Sequence, residues 1–332
     1  MKSREILLTQ RPVGMPTAAE FELTEVDVPE PTDGQILVEN VCMSVDPYMR
    51  GRMMDRESYV PPFAVGETLT GGAIGRVIQS KHADYAEGDY VDSMFGWREA
   101  FCADAGWVNR IGELQAPASA YLGVLGMPGL TAYAGLLEVG ELKDGETVFV
   151  SGAAGAVGSL VGQIAKIKGC RVVGSAGTES KIKWLQELGF DYAFNYRDGN
   201  LPQQLREGAP EGIDVYFDNV GGDHLEAAIG HMKPGGRLAL CGAIAQYNDT
   251  ETSPGPNNMM LIIGLGLKLQ GFIVTSFAHL KDQFVADVAG WIQSGELQYK
   301  ETILDGVERA PEAFIGLFEG ANTGKMIVNL KS

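Results

Sequence analysis

The chain has 332 residues, of which 45% are hydrophobic and 21% charged, an ordinary globular composition with enough length for two domains that each bury a core. Disorder, collagen and a disulfide-stapled miniprotein are excluded. With 26 Lys and Arg against 43 Asp and Glu the formal net charge is -17, so the surface repels a phosphate backbone, and neither nucleic acid nor a membrane is expected as a partner.

The amino terminus mixes acid and base in Met1-Lys-Ser-Arg-Glu and runs into Ile6 without the apolar stretch of a signal peptide, so a cytoplasmic protein is expected. The four cysteines, Cys42, Cys102, Cys170 and Cys241, are far apart in sequence and fit a reduced compartment better than a disulfide framework. Up to about residue 125, short apolar runs alternate with turn residues. Gln35 to Val41, Gly75 to Ile78 and Asp89 to Asp92 read as strands, with Pro29-Glu-Pro, Pro61-Pro and Glu87-Gly-Asp between them. This is a β-rich domain.

From about 126 the rhythm changes to strand and helix in alternation: Thr147 to Val150, Val157 to Lys168, Arg171 to Gly174, Lys181 to Leu188 and Asp214 to Asp218. Gly236 to Cys241 and Leu269 to Val274 continue the series as strands. Such alternation implies a parallel sheet covered by helices on both faces, because each parallel strand needs a crossover. Two apolar stretches, Val148 to Ala165 and Met259 to Leu267, read as interior segments: the first is rich in Gly and Ser and the second stops at Lys268. After about 300 the elements shorten to a strand near Thr302, a helix over Ala310 to Leu317 and a last strand from Lys325 to Leu330, a tail expected to rejoin the first domain.

The strongest local signal is Val148 to Gly158, a strand running into Gly152-Ala153-Ala154-Gly155-Ala156-Val157-Gly158 and then a helix. Ala153, Gly155 and Gly158 occupy the three positions of the dinucleotide fingerprint; Gly155 lets the backbone approach a pyrophosphate and Gly158 lets the helix press on the sheet. The helix start supplies unpaired N–H groups to the anion. The bland alternative is a small-residue turn that binds nothing. At the end of the next strand an NAD site would place an acid on the ribose hydroxyls, but Ser175, Ala176, Gly177 and Thr178 stand there, followed by Lys181 and by Tyr196, which ends the next predicted strand. That set favours a 2′-phosphate and hence NADPH, with Glu179 as the rival reading, an NAD acid slightly displaced.

Ser44-Val-Asp-Pro-Tyr-Met-Arg50, Val124 to Tyr133, Ser151 to Gly158, Phe217-Asp-Asn-Val-Gly-Gly222 and Cys241-Gly-Ala-Ile-Ala-Gln-Tyr-Asn248 together carry a resemblance over nearly the whole chain. It resembles the zinc-independent medium-chain dehydrogenases/reductases, in the group of NADPH-dependent alkenal/enone double-bond reductases. The resemblance implies a GroES-like β-rich domain over 1–125 completed by 300–332, a Rossmann doubly wound domain over 126–299, and a homodimer. It also implies cofactor contacts at Met127, Thr131, Asn219, Cys241, Ile244, the backbone of Phe272, Ile273 and Val274, and, from the returning tail, Asn322 and Gly324.

No metal is expected, since the cysteines and His82, His224, His231 and His279 never approach ligand spacing and Gly66-Glu67 lacks the His of the zinc members. The chemistry implied is hydride transfer to the β-carbon of an unsaturated aldehyde or ketone, with the developing oxyanion held by Tyr247 and a ribose hydroxyl. Tyr48 resembles the substrate-side tyrosine of the group. The competing roles are packing: an aromatic plug for Tyr247, domain core for Tyr48. The alternatives to this activity are an NADPH quinone reductase and a non-catalytic NADPH-binding protein.

Overall fold

The computed structural model describes residues 1–330. The chain forms two compact units, one of Met1–Leu122 with Glu301–Asn322 and the segment from Met326, the other of Gly123–Lys300 with Thr323–Lys325.

In the first unit β1 (Lys2–Leu8) and β2 (Phe21–Asp27) pair antiparallel as a two-stranded sheet. The strand β3 (Gln35–Ser44) is apolar on both faces because both are covered: Ile36 and Val38 pack with Val77, Val91 and Phe101, while Leu37 packs with Val28 and Ala100. After it come the short helix α1 (Met49–Arg52) and the strands β4 (Ala73–Ser80), β5 (Tyr90–Ser93), β6 (Ala100–Asp104) and β7 (Val108–Gly112).

The second unit opens with α2 (Met127–Ala134) and then alternates: β8 (Thr147–Val150), α3 (Gly158–Ile167), β9 (Arg171–Ala176), α4 (Glu179–Glu187), β10 (Tyr192–Asn195), α5 (Leu201–Gly208), β11 (Ile213–Asp218) and α6 (Gly222–Ile229). It closes with β12 (Met232–Leu240), α7 (Met260–Leu265), β13 (Lys268–Gly271) and α8 (Lys281–Ser294). The six strands are parallel in the order β10-β9-β8-β11-β12-β13. The order reverses between β8 and β11, the switch point at which doubly wound sheets collect ligands beyond the carboxyl ends of their strands.

Two sequence expectations are corrected here. The strand predicted through Val274 stops at Gly271, whose parallel partner Leu240 is the last residue of β12; Phe272 and Ile273 lie beyond it and Val274 starts a 3-10 turn. Met259 to Leu267 is not an interior run. Ile262, Leu265 and Leu267 face the core, but Met260 is 76% and Ile263 77% exposed, because this short helix packs one face against the sheet at β12 and turns the other outward. Among the described residues no helix is long and apolar enough to cross a membrane.

The tail supplies β14 (Glu301–Asp305), α9 (Ala310–Glu319) and β15 (Lys325–Asn329). β15 pairs antiparallel with β3, giving a seven-stranded sheet in the order β14-β15-β3-β4-β5-β7 with β6 also paired to β3. Trp97, fully buried, stacks on Phe21 at 6.0 Å and meets Phe314 edge-on, so α9 closes the core of the first unit over β1 and β3.

Candidate functional site

The glycine-rich turn lies between β8 and α3. Its left-handed residue is Gly152 (φ +58), one position before the Ala153 that the fingerprint places first. The chain then folds back so that the Gly155 N–H donates to the Gly152 carbonyl at 3.0 Å. A Cβ on Gly158 would fall 2.6 Å from that same carbonyl oxygen and 2.8 Å from the Ala153 Cα, so only glycine lets α3 start so near the strand end. Val157 caps α3 without a side-chain hydrogen bond; in the first turn Ser159 N–H donates to Gly155 O and Leu160 N–H to Val157 O, each at 3.1 Å, so it is the Gly158 N–H at the head of this ten-residue helix that faces an outside acceptor. The segment Ala153–Ala156 between them is held by Ala153 N–H to Ser175 O at 2.9 Å and, from the tail, by Gly324 N–H to Ala154 O at 2.8 Å. Gly324 thus sits directly on the turn, pairing with Gly155 as an isolated bridge, while Asn322 lies two residues upstream.

Next to this turn lies a buried polar cluster that sequence reading missed. Asp218, at the end of β11, accepts on one oxygen from Ser151 Oγ (3.0 Å), Tyr216 OH (2.6 Å) and the N–H groups of Val220 (2.9 Å) and Gly221 (2.8 Å). Asn219 is clamped in turn: its N–H donates to Ser151 Oγ at 2.9 Å and its side-chain amide to Ser151 O at 2.8 Å. A buried carboxylate is tolerated because every donor is pre-arranged. Its sequence signal was Asp218 closing the apolar run Val215-Tyr-Phe at the head of the Phe217 to Gly222 motif.

Asn219 leads to the loop after β12. Its carbonyl accepts from Ile244 N–H at 3.3 Å, and Cys241 N–H donates to Asp218 O at 2.9 Å. Tyr247, half-buried, accepts at its hydroxyl from the Ala243 N–H at 3.3 Å. Burial is the main cause that raises its pKa, so the phenol stays protonated and its proton is available to donate. The Cys241 thiol is pushed up to about 12, again chiefly by burial.

At the other end of the sheet, β9 ends in Gly174-Ser175-Ala176-Gly177 with no acid. Lys181 is half-buried in the first turns of α4, where the cap residue Thr178 accepts from its N–H at 3.4 Å. Tyr196 opens the turn after β10 and its hydroxyl comes within 3.1 Å of where a Cβ on Gly177 would stand. His224 of α6, 5% exposed, meets the Tyr196 ring edge-on at 5.2 Å, and burial pushes its pKa down to about 4. Ser175 Oγ is fully buried and has no hydrogen-bond partner among the described residues.

Met127 begins α2 and is 41% exposed, while the Thr131 hydroxyl donates back to Met127 O at 2.7 Å. Phe272 packs edge-on to Phe217 at 6.1 Å. Gly152, Gly155, Asn219, Ile244, Tyr247 and Gly324 are therefore linked through a few contacts around the strand ends of the second unit, and Gly177, Lys181 and Tyr196 gather beside β9. Tyr48 belongs to the first unit. It precedes α1, packs on the Trp97 core, and its hydroxyl is hydrogen-bonded by Arg52; burial pushes its pKa upward. Arg52 itself is fixed by Pro61 O and Thr70 Oγ1, each at 2.9 Å, and lies over the Phe63 ring.

Residues 4–111 match the family model described as the N-terminal domain of oxidoreductase, and residues 156–291 match that described as zinc-binding dehydrogenase. The chain is 42% identical over 335 residues to the NADPH-dependent curcumin reductase of Escherichia coli, covering 99% of this chain and 97% of that protein. It is 42% identical over 336 residues to the NADP-dependent 2-alkenal reductase of Nicotiana tabacum, again with 99% and 97% covered. The crystal structure of CurA from Vibrio vulnificus in complex with NADPH matches with a TM-score of 0.95 at 43% identity, covering 99% of each chain.

A zinc ion, named by one of these family descriptions, is not accommodated by the residues present. Among the described residues no three His, Cys, Asp or Glu side chains come together as a ligand group. Cys42, Cys102, Cys170 and Cys241 are each free and none belongs to such a group. A dinucleotide phosphate does fit: a turn that a Cβ would block, an uncapped helix start and an unpartnered buried Ser175 hydroxyl lie along the carboxyl ends of β8 and β9.

Proposed function

Since the chain belongs to the zinc-independent medium-chain dehydrogenases/reductases, in their group of NADPH-dependent alkenal/enone double-bond reductases, we propose that it reduces the α,β carbon–carbon double bond of unsaturated aldehydes and ketones. Bound NADPH supplies the hydride that adds to the β-carbon. In this reading residues 1–125, completed by 300–332, are the substrate-side domain and 126–299 the nucleotide domain.

The chain's own work is to hold and to orient. The Gly152–Gly158 turn and the α3 start take the pyrophosphate, with Gly324 bracing the turn from the tail. Lys181 and Tyr196 take the 2′-phosphate; Asn219, Cys241 and Ile244 shape the ribose side, and Met127, Thr131 and the Phe272–Val274 backbone the nicotinamide side. The observation that carries the reading is Tyr247. Its phenol is neutral, its acceptor side is occupied by Ala243, and its proton is left to donate to the oxygen that becomes negative as hydride arrives, or to the ribose hydroxyl beside it. Solvent then protonates the α-carbon. Tyr48, also held neutral and anchored by Arg52, is the substrate-side phenol.

The chain is further read as a cytoplasmic homodimer. All four cysteines are free thiols, which supports a reducing compartment. Strand β13 is an open sheet edge flanked by exposed Met259, Met260, Leu261, Ile263 and Ile273, a combination that isolated proteins avoid.

The test is NADPH consumption, with and without a chelator, over a panel from short enals to large dienones and simple quinones. Fast turnover of enals or enones, undiminished by chelation, is expected. Turnover confined to quinones would transfer the protein to the quinone reductases, and saturable NADPH binding without any oxidation would make it a binding protein.

A further inference from the structure

Strands β9 and β10 pair in parallel with Asn195 beside Ala176, so the residues that follow each strand, Gly177 on one and Tyr196-Arg197 on the other, emerge side by side. They are in close contact: a Cβ on Gly177 would lie 3.1 Å from the Tyr196 hydroxyl and 3.2 Å from Arg197 Nε. The Arg197 guanidinium sits 5.9 Å from the centre of the Tyr196 ring, whose other contact is the buried His224. On the α4 side the ammonium of Lys181 is near enough for Arg197 to depress its pKa, a second cause after burial.

Two cations are therefore directed to one spot in a chain of net charge -17. Arg197 forms no ion pair with a carboxylate among the described residues, and the adjacent acid, Asp198, accepts instead from Asn195 at 3.1 Å. Like charges brought together cost free energy unless an anion joins them. A phosphate monoester carries close to two negative charges and several acceptor oxygens, enough for an ammonium, a guanidinium and a phenol together. A ribose hydroxyl offers neither.

We propose that Arg197 is a specificity-determining residue that contacts the 2′-phosphate of NADPH jointly with Lys181 and Tyr196. This rests on the reading of NADPH as the cofactor. Arg197 is exposed and bonded through its side chain to nothing in the core, so its replacement leaves the fold intact.

Calorimetric binding of 2′,5′-ADP and of 5′-AMP to the whole protein separates the two claims, since the ligands differ only in the 2′-phosphate and no turnover is needed. The parent is expected to favour 2′,5′-ADP. Arg197→Gln should weaken 2′,5′-ADP about ten- to a hundredfold with 5′-AMP unchanged, and Arg197→Lys should recover part of the loss. Unchanged 2′,5′-ADP affinity in Arg197→Gln, or an equal loss for both nucleotides, overturns the role of Arg197 while leaving NADPH as cofactor. A parent that binds both equally overturns the NADPH reading, and this proposal with it.

Discussion

Tyr247 and His224 illustrate how single side chains are set by burial. The Tyr247 hydroxyl is fixed by the Ala243 N–H and kept neutral, so in the role proposed for it its contribution would grow only as charge develops on the substrate oxygen. Tyr247→Phe should lower kcat by about ten- to a hundredfold while leaving NADPH affinity nearly unchanged, because a ribose hydroxyl and backbone donors remain. Parent-like turnover of an enone by that variant would reduce Tyr247 to packing. His224 acts on stability. Its ring titrates near 6.5 when unfolded and at about 4 when folded, so at neutral pH both states are uncharged and it contributes nothing. As pH falls through 6.5 the unfolded chain takes up a proton that the folded chain refuses, and stability drops until about pH 4 by about 3 kcal/mol. Urea unfolding of the parent and His224→Phe at neutral pH and near the folded pKa checks this: the variant should lose about that much less on acidification. Parallel losses would show that His224 is charged in the fold or irrelevant to it. A 2′-phosphate role for Lys181 could be proposed from sequence because a missing acid and a nearby Lys are visible in a line of letters. Roles for Arg197 and His224 could not, since each gains its meaning from the pairing of β9 with β10 and the packing of α6 beside them.

At the level of elements, what sequence could show was whatever rests on local sterics. The strand–turn–helix from β8 to α3 was readable because the close approach at Gly158 admits only glycine. The exact turn residue was not: Gly152, not Ala153, takes the left-handed conformation, because the carbonyl that receives the Gly155 N–H must turn inward. The end of β13 was also hidden. Phe272 and Ile273 have strand propensity, but their partner strand ends at Leu240 and gives them nothing to pair with. The helix α7 misled most, as an apolar run reads as core whether a chain covers itself or is covered by another. If a second copy covers it, Ile263→Glu, placed at a 77% exposed position outside the core, should turn a dimer into a folded monomer in sedimentation. A variant that stays dimeric would place the interface elsewhere, and a monomeric parent would end the dimer proposal.

For the whole molecule, alternation of strand and helix was enough to predict a doubly wound sheet, and short strands between turn residues a β-rich companion; both are present. The sheet order was beyond reach of local patterns, since it depends on which strand each crossover returns to. Quinone oxidoreductases of known structure share this fold at about 20% identity, with TM-scores of 0.77 and 0.78, so architecture alone does not choose between reactions. The choice lies in where hydride is delivered. An enone reduced with NADPH deuterated at both C4 positions, its product read by NMR, decides the matter directly. Deuterium on the β-carbon of a saturated ketone, with the α-proton drawn from solvent, is the expected result; deuterium on the carbinol carbon of an allylic alcohol would contradict conjugate reduction.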